Sequence, residues 1–148
     1  MAGGDGDIWN FSQGRWRQIA FPSNVPLQNL CCGGNGRVYV AGQGGEIYRG
    51  RGNTWTKIHD GGISLPINDM VWFQDQVWCT NDSGIWTIQN DQVTRADVPD
   101  FVRSCAGYAS AADGVLLVAG MYGAALHDGQ QWNSLVDLPA LYDKYGAS

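Results

Sequence analysis

The chain has 148 residues, 44% of them hydrophobic and only 16% charged, with a net charge of −5 at pH 7 and a pI near 4.6. It holds no apolar run near the ~20 residues that span a bilayer, and its start, MAGGDGD, lacks the basic and apolar parts of a secretory leader. Acidity argues against a nucleic-acid partner, whose binders are usually basic; these features predict a cytoplasmic protein that contacts neither membrane nor nucleic acid.

Twenty-one glycines and seven tryptophans, with almost no helical periodicity, predict short strands joined by tight turns. A repeat organises them. Trp16, Trp55, Val93 and Trp132 are spaced by 39, 38 and 39 residues, Val38, Val77 and Leu116 by 39 and 39, and Ile8, Ile47 and Ile85 by 39 and 38. Val40-Ala41-Gly42 recurs as Val118-Ala119-Gly120. Three landmark series in one phase identify a repeated unit of about 39 residues, and a four-stranded unit of that length is a propeller blade.

In chain order, residues 1–20 hold the third and fourth strands of an incomplete blade (GDIWNF, GRWRQI). Residues 21–59 are a full blade, with strands predicted at 26–32, 37–41, 46–49 and 54–58. Residues 60–98 and 99–137 repeat it, with SGIWTI and DQVTRA, then GAALHD and QQWNSL, as their third and fourth strands. Asn35-Gly36 and Asp113-Gly114 read as hairpin turns with positive φ at both positions. In the tail, 138–148, Leu138-Pro139-Ala140 matches Leu65-Pro66-Ile67, so 140–145 is expected to be the first strand of a further partial blade. The fold class is therefore all-β: a partial propeller of about 3.5 four-stranded blades, completed by oligomerisation or by a partner. A homodimer of two half-propellers fits, since unpaired strand edges invite such closure. Trp16, Trp55 and Trp132 are expected to fill the seams between blades.

Gly45–Tyr48, Gly52 and Thr54-Trp55 resemble the Asp-box repeat of sialidase-type propellers, a group that includes the bacterial neuraminidase repeat and the photosystem II assembly factors. The resemblance implies a propeller over nearly the whole chain, and its turn is degenerate: Arg51 stands near where the family has Asp, while Asp128-Gly129-Gln130-Gln131-Trp132 keeps an Asp and a Gly at altered spacing. Such boxes are fold elements and do not specify activity. A sialidase would also need an arginine cluster, a Tyr nucleophile with a Glu, and an acid/base. The chain has one Glu, Glu46, and its arginines sit mostly in turns or on fourth strands.

No catalytic residue is therefore assigned, and no cofactor is expected. Cys31, Cys32, Cys79 and Cys105 lack metal-ligand spacing and read as small buried hydrophobes; adjacent Cys31 and Cys32 should face opposite ways. His59 and His127 read as solvated surface residues. No metal site follows.

Charge placement is more telling. The loops that follow second and fourth strands share one rim, which receives Asp5, Asp7, Glu46, Asp60, Asp82, Asp97, Asp100 and Asp137; Arg15, Arg37 and Arg51 fall on the other. Phe21, Ile63, Phe101, Met121 and Tyr122 add apolar members to the acidic rim. Acid mixed with aromatics suits protein recognition, and the field of such a rim steers a basic partner. The predicted partner-binding residues are Asp60, Asp82, Asp97, Asp100, Phe101 and Tyr122. The function expected is non-enzymatic protein binding, for example by a bacterial immunity protein that blocks a basic toxin, or by an assembly factor. The alternative is a propeller lectin, against which stands the mismatch of Gln43, Asn81-Asp82 and Met121 at corresponding blade positions.

Overall fold

The computed structural model describes residues 1–62 and 66–146. Ile63 and Leu65 lie outside the described residues. Among the described residues, fourteen strands form four antiparallel sheets. The first is a two-stranded hairpin, β1 (Ile8–Ser12) and β2 (Arg15–Ile19). The second orders β3 (Leu27–Cys32), β4 (Val38–Gly42), β5 (Glu46–Arg51) and β6 (Thr54–Asp60) side by side in chain sequence. The third is built likewise from β7 (Asp69–Phe73), β8 (Gln76–Asn81), β9 (Gly84–Gln89) and β10 (Gln92–Arg95). A one-turn helix, α1 (Asp100–Arg103), leads into the fourth: β11 (Gly107–Ala112), β12 (Val115–Gly120), β13 (Gly123–His127) and β14 (Trp132–Asp137). This is the expected half-blade followed by three full meander blades.

Tight turns drive the meanders. Gln13-Gly14, Gln74-Asp75, Asn90-Asp91 and Asp113-Gly114 all hold positive φ at both residues, the backbone twist that suits two-residue hairpins. Of the two turns singled out from sequence, Asp113-Gly114 behaves so, whereas Asn35-Gly36 has positive φ only at Gly36. It closes a longer loop instead, in which Gly33 N donates to Arg37 O at 2.8 Å and Asn35 Oδ1 accepts from Arg37 N at 3.0 Å.

The core is three inter-blade seams, because a meander sheet has two faces and each needs a cover. Ile8, Leu27 and Val40 join the half-blade to the first blade; Tyr39, Ala41 and Ile47 meet Met70, Val77, Cys79 and Ile88 in the next seam. Trp78 and Ile85 meet Leu116, Val118 and Ala125 in the third. Alternation assigns each strand residue to a forward or a backward face. Two polar links cross the seams near the first strands: Asn29 Nδ2 donates to Asn68 O at 2.6 Å, and Asp69 Oδ2 accepts from Ala109 N at 3.0 Å.

Four expectations need correction. The tail does not form a first strand: Leu138–Tyr145 is an α-helix, α2, whose N-cap Asp137 accepts from Ala140 N at 3.1 Å, with Pro139 in the first turn. Trp55 and Trp132 do pack into seams, but Trp16, at the same repeat position, is 54% exposed because no blade stands behind the half-blade. His127 is half-buried in the third seam, edge-on to Trp132 at 5.1 Å and to Phe73 at 5.3 Å, and His59 is half-buried too. Cys31, Cys79 and Cys105 are buried, but Cys32, expected to be buried with them, is exposed, because adjacent strand residues face opposite ways.

Candidate protein-binding groove on the loop rim

The connections β8–β9, β12–β13 and the α1 segment meet on one rim and enclose a groove of about 720 Å³ between the second and third full blades. Its floor is made of small residues for a steric reason. A Cβ on Gly120 would strike the Ala106 carbonyl, and one on Gly107 would lie 2.7 Å from the Ala119 carbonyl oxygen. Backbone therefore lies directly on backbone, and three large side chains stand above it: Tyr108 at 64% exposure, Met121 at 77% and Tyr122 at 55%. The Met121-Tyr122 turn is anchored by Leu138 N, which donates to Tyr122 O at 3.1 Å.

The opposite wall is acidic. In the β8–β9 turn, buried Asn81 accepts from Ser83 N at 2.9 Å and from Ser83 Oγ at 2.8 Å, and so fixes the loop that presents Asp82. Asn68 Nδ2 donates to Asp82 Oδ1 at 2.8 Å, which orients the carboxylate without neutralising it. Arg103, the groove's cation, is tied twice: Nη1 to Asp100 Oδ1 at 2.7 Å and Nη2 to Val98 O at 3.1 Å. The arrangement offers a partner one orienting carboxylate, a compensated guanidinium and an exposed thioether–aromatic shelf, which are the ingredients of a protein-binding hot spot.

The six predicted residues fare unequally. Asp82 and Tyr122 line the groove. Asp100 borders it but is paired with Arg103, and Asp97 is exposed on the same connection. Asp60 lies on the first full blade, where Lys57 Nζ bonds it at 3.0 Å and has its own pKa raised by that contact. Phe101 is half-buried against the core of the third seam and is a packing residue rather than a free anchor. Tyr108, which the sequence reading did not single out, also lines the groove, next to Gly107.

The opposite rim is not the basic surface its arginines suggested. Asp75, Asp91, Asp113 and Asp128 sit in its hairpin turns. There Arg49 Nε meets Asp91 Oδ1 at 3.2 Å across a seam. Asp128 accepts from the backbone amides of Gln131 and Gln130, each at 2.9 Å, and from the Asn133 side chain; these bonds hold its carboxyl below the usual range. Among the described residues, no group of three or more His, Cys, Asp or Glu gathers to hold a metal ion, and no helix is long and apolar enough to cross a membrane.

Over 133 residues the chain is 30% identical to the Immune protein Tsi7 of Pseudomonas aeruginosa. The match takes in 90% of this chain but 44% of Tsi7, so the chain spans less than half the length of that relative. No family model matches the sequence. In three dimensions it is similar to virginiamycin B lyase from Staphylococcus aureus, both as the selenomethionine protein and as a catalytically inactive variant with quinupristin. Each superposes with a TM-score of 0.61 over 90% of this chain and 53% of the lyase, at 14% identity. That likeness concerns the fold, and the fold is a partial propeller.

Proposed function

We propose that the chain is a non-enzymatic binding module of the immunity type, which holds a basic protein toxin through the groove at Asp82, Tyr108, Met121 and Tyr122. The observation that carries the reading is the exposed Tyr108–Met121–Tyr122 shelf beside an unneutralised carboxylate, in a chain that is similar to an immune protein along most of its own length. Aromatic and thioether groups supply desolvated contact area, and Asp82 and Asp97 add the steering field. The reading puts the protein in the cytoplasm, where a toxin would act. It also keeps the blades in the Asp-box lineage: Asp128, with its two backbone amides just before Trp132, supports a degenerate box in the last blade.

The test is binding to a candidate basic protein toxin, measured by stopped-flow and surface-based kinetics. Asp82→Asn with Asp97→Asn should slow association several-fold at low salt and flatten its salt dependence, while Tyr122→Ala should speed dissociation about tenfold or more, as for a hot-spot aromatic. Unchanged kinetics in both variants would remove the groove from the interface.

A further inference from the structure

The molecule makes the same seam three times, and both halves of a fourth stand open. Strand pairing defines equivalent forward-face positions: Tyr39, Trp78 and Leu117 on second strands, Ala41, Thr80 and Ala119 beside them, and Ile47, Ile85 and Ala124 on third strands. In the first two full blades these residues are 7% exposed or less. In the last blade Leu117, Ala119 and Ala124 are only half-buried, with Leu126 alongside. Asn29, Asp69 and Tyr108 are likewise one position, opposite Ala41, Thr80 and Ala119. The first two bond across their seams to the next blade, whereas Tyr108 is left exposed.

The other half of the seam is at the chain's start. Backward-facing Trp55 packs into the first seam, Val93 into the second, and Trp132 lies edge-on to Trp78 at 5.9 Å in the third. Their equivalent, Trp16, is exposed and packs against Phe11, itself 57% exposed, with ring centroids 5.2 Å apart. Trp16 is thus a seam residue without its forward face, and Leu117 is a forward face without its tryptophan.

We propose that a second copy of this chain supplies the missing halves: the Phe11–Trp16 face of each copy packs on the Leu117–Ala119–Ala124–Leu126 face of the other. The choice of occupant rests on two facts. The complementary face is one this chain itself carries, and the chain superposes on 53% of a propeller chain, so two such arcs make one ring. The ring is two-fold symmetric and buries both open faces at once, which single-seam association does not. It needs no strand donated by the tail; α2, with Leu138, Leu141, Tyr142 and Tyr145 at helical spacing and no buried residue, leaves from the rim beside the joint. The joint also adjoins Tyr108, so the second copy extends one wall of the groove.

Light scattering on the 148-residue chain should give about twice 16.1 kDa across a concentration series. Trp16→Asp and Leu117→Asp should each yield the mass of one chain with unchanged circular dichroism. Should Leu117→Asp misfold, Ser110→Arg, at an exposed position of the same face, serves in its place. An equimolar mixture of the head variant and the tail variant keeps one intact seam and should regain the two-chain species. A chain that stays monomeric at every concentration overturns the proposal. So does disruption by the head variant alone, or a mixture that fails to associate.

Discussion

Trp132→Ala and Trp16→Ala remove the same side chain from the same repeat position in two different environments, and the difference measures what a seam contributes. Trp132 is largely buried against Trp78 and His127. A tryptophan that buries about 150 Å² at ~25 cal/mol/Å² accounts for roughly 3–4 kcal/mol, within the range for aromatic truncation in cores. Trp16 touches Phe11 and is 54% exposed, so its loss from the monomer should cost about 1 kcal/mol or less. Urea unfolding followed by circular dichroism, at a concentration low enough for single chains, reads both. With a slope of about 2 kcal/mol/M, Trp132→Ala should lower the midpoint by roughly 1.5–2 M and Trp16→Ala by about 0.5 M at most. Equal losses would show that the tryptophans stabilise their own hairpins rather than the seam, and the repeat-based account of the core would fall.

Thr80 and the thiols give two further expectations. The Thr80 hydroxyl is fully buried with no hydrogen-bond partner, at a position where the neighbouring blades carry Ala41 and Ala119; Thr80→Val should stabilise by about 1 kcal/mol, and any loss of stability in the same urea assay counts against it. Burial, helped by neighbouring Cys32, pushes the Cys31 thiol from 9.0 up to about 11, and burial pushes Cys79 higher still. The folded state therefore keeps protons that the unfolded state releases, so this stability is complete below pH 9 and is lost as pH rises from 9 toward 11. Urea midpoints at pH 7, 9 and 10.5 should fall in that order, less steeply in Cys31→Ala, and a thiol reagent at pH 8 should label Cys32 alone in the native protein. Rapid labelling of three or four thiols would refute the burial.

The blades were legible because a seam imposes its chemistry once per repeat: Val38, Val77 and Leu116 must each fill the same volume, so their spacing survives divergence of everything around them. What a repeat cannot encode is where neighbours stop. Trp16 has the sequence context of Trp55 and differs only in having no sheet behind it. The tail misled for a related reason. Leu138-Pro139-Ala140 aligns with Leu65-Pro66-Ile67, but the local signals, Asp137 as N-cap, Pro139 in the first turn and apolar residues at 138, 141, 142 and 145, spell a helix. The register shift between Leu27 and Asn29, which brings Asn29 into line with Asp69 and Tyr108, carries no signal at all. It is visible only through strand pairing.

Charge shows most clearly why the site needed a structure. By sequence the two rims separate into acid and base, and by count they do not, since Asp75, Asp91, Asp113 and Asp128 populate the second. The rims differ in what their carboxylates are already doing. Asp128 is saturated by two backbone amides and an asparagine, and Asp91 holds Arg49 across a seam. On the groove rim Asp60 and Asp100 are likewise committed to Lys57 and Arg103, and Asp137 caps a helix. Asp82 and Asp7, by contrast, are oriented by the neutral amides of Asn68 and Gln18, and Asp97 is exposed. A carboxylate already bonded to a cation contributes little to the field that a partner meets, because the pair is nearly neutral at a distance. On the proposed reading, the carboxylates that could steer a partner are fewer than the net charge implies, and Asp82 is the one that stands beside the exposed Tyr108, Met121 and Tyr122. That coincidence, rather than overall acidity, is the reason to look for the partner there.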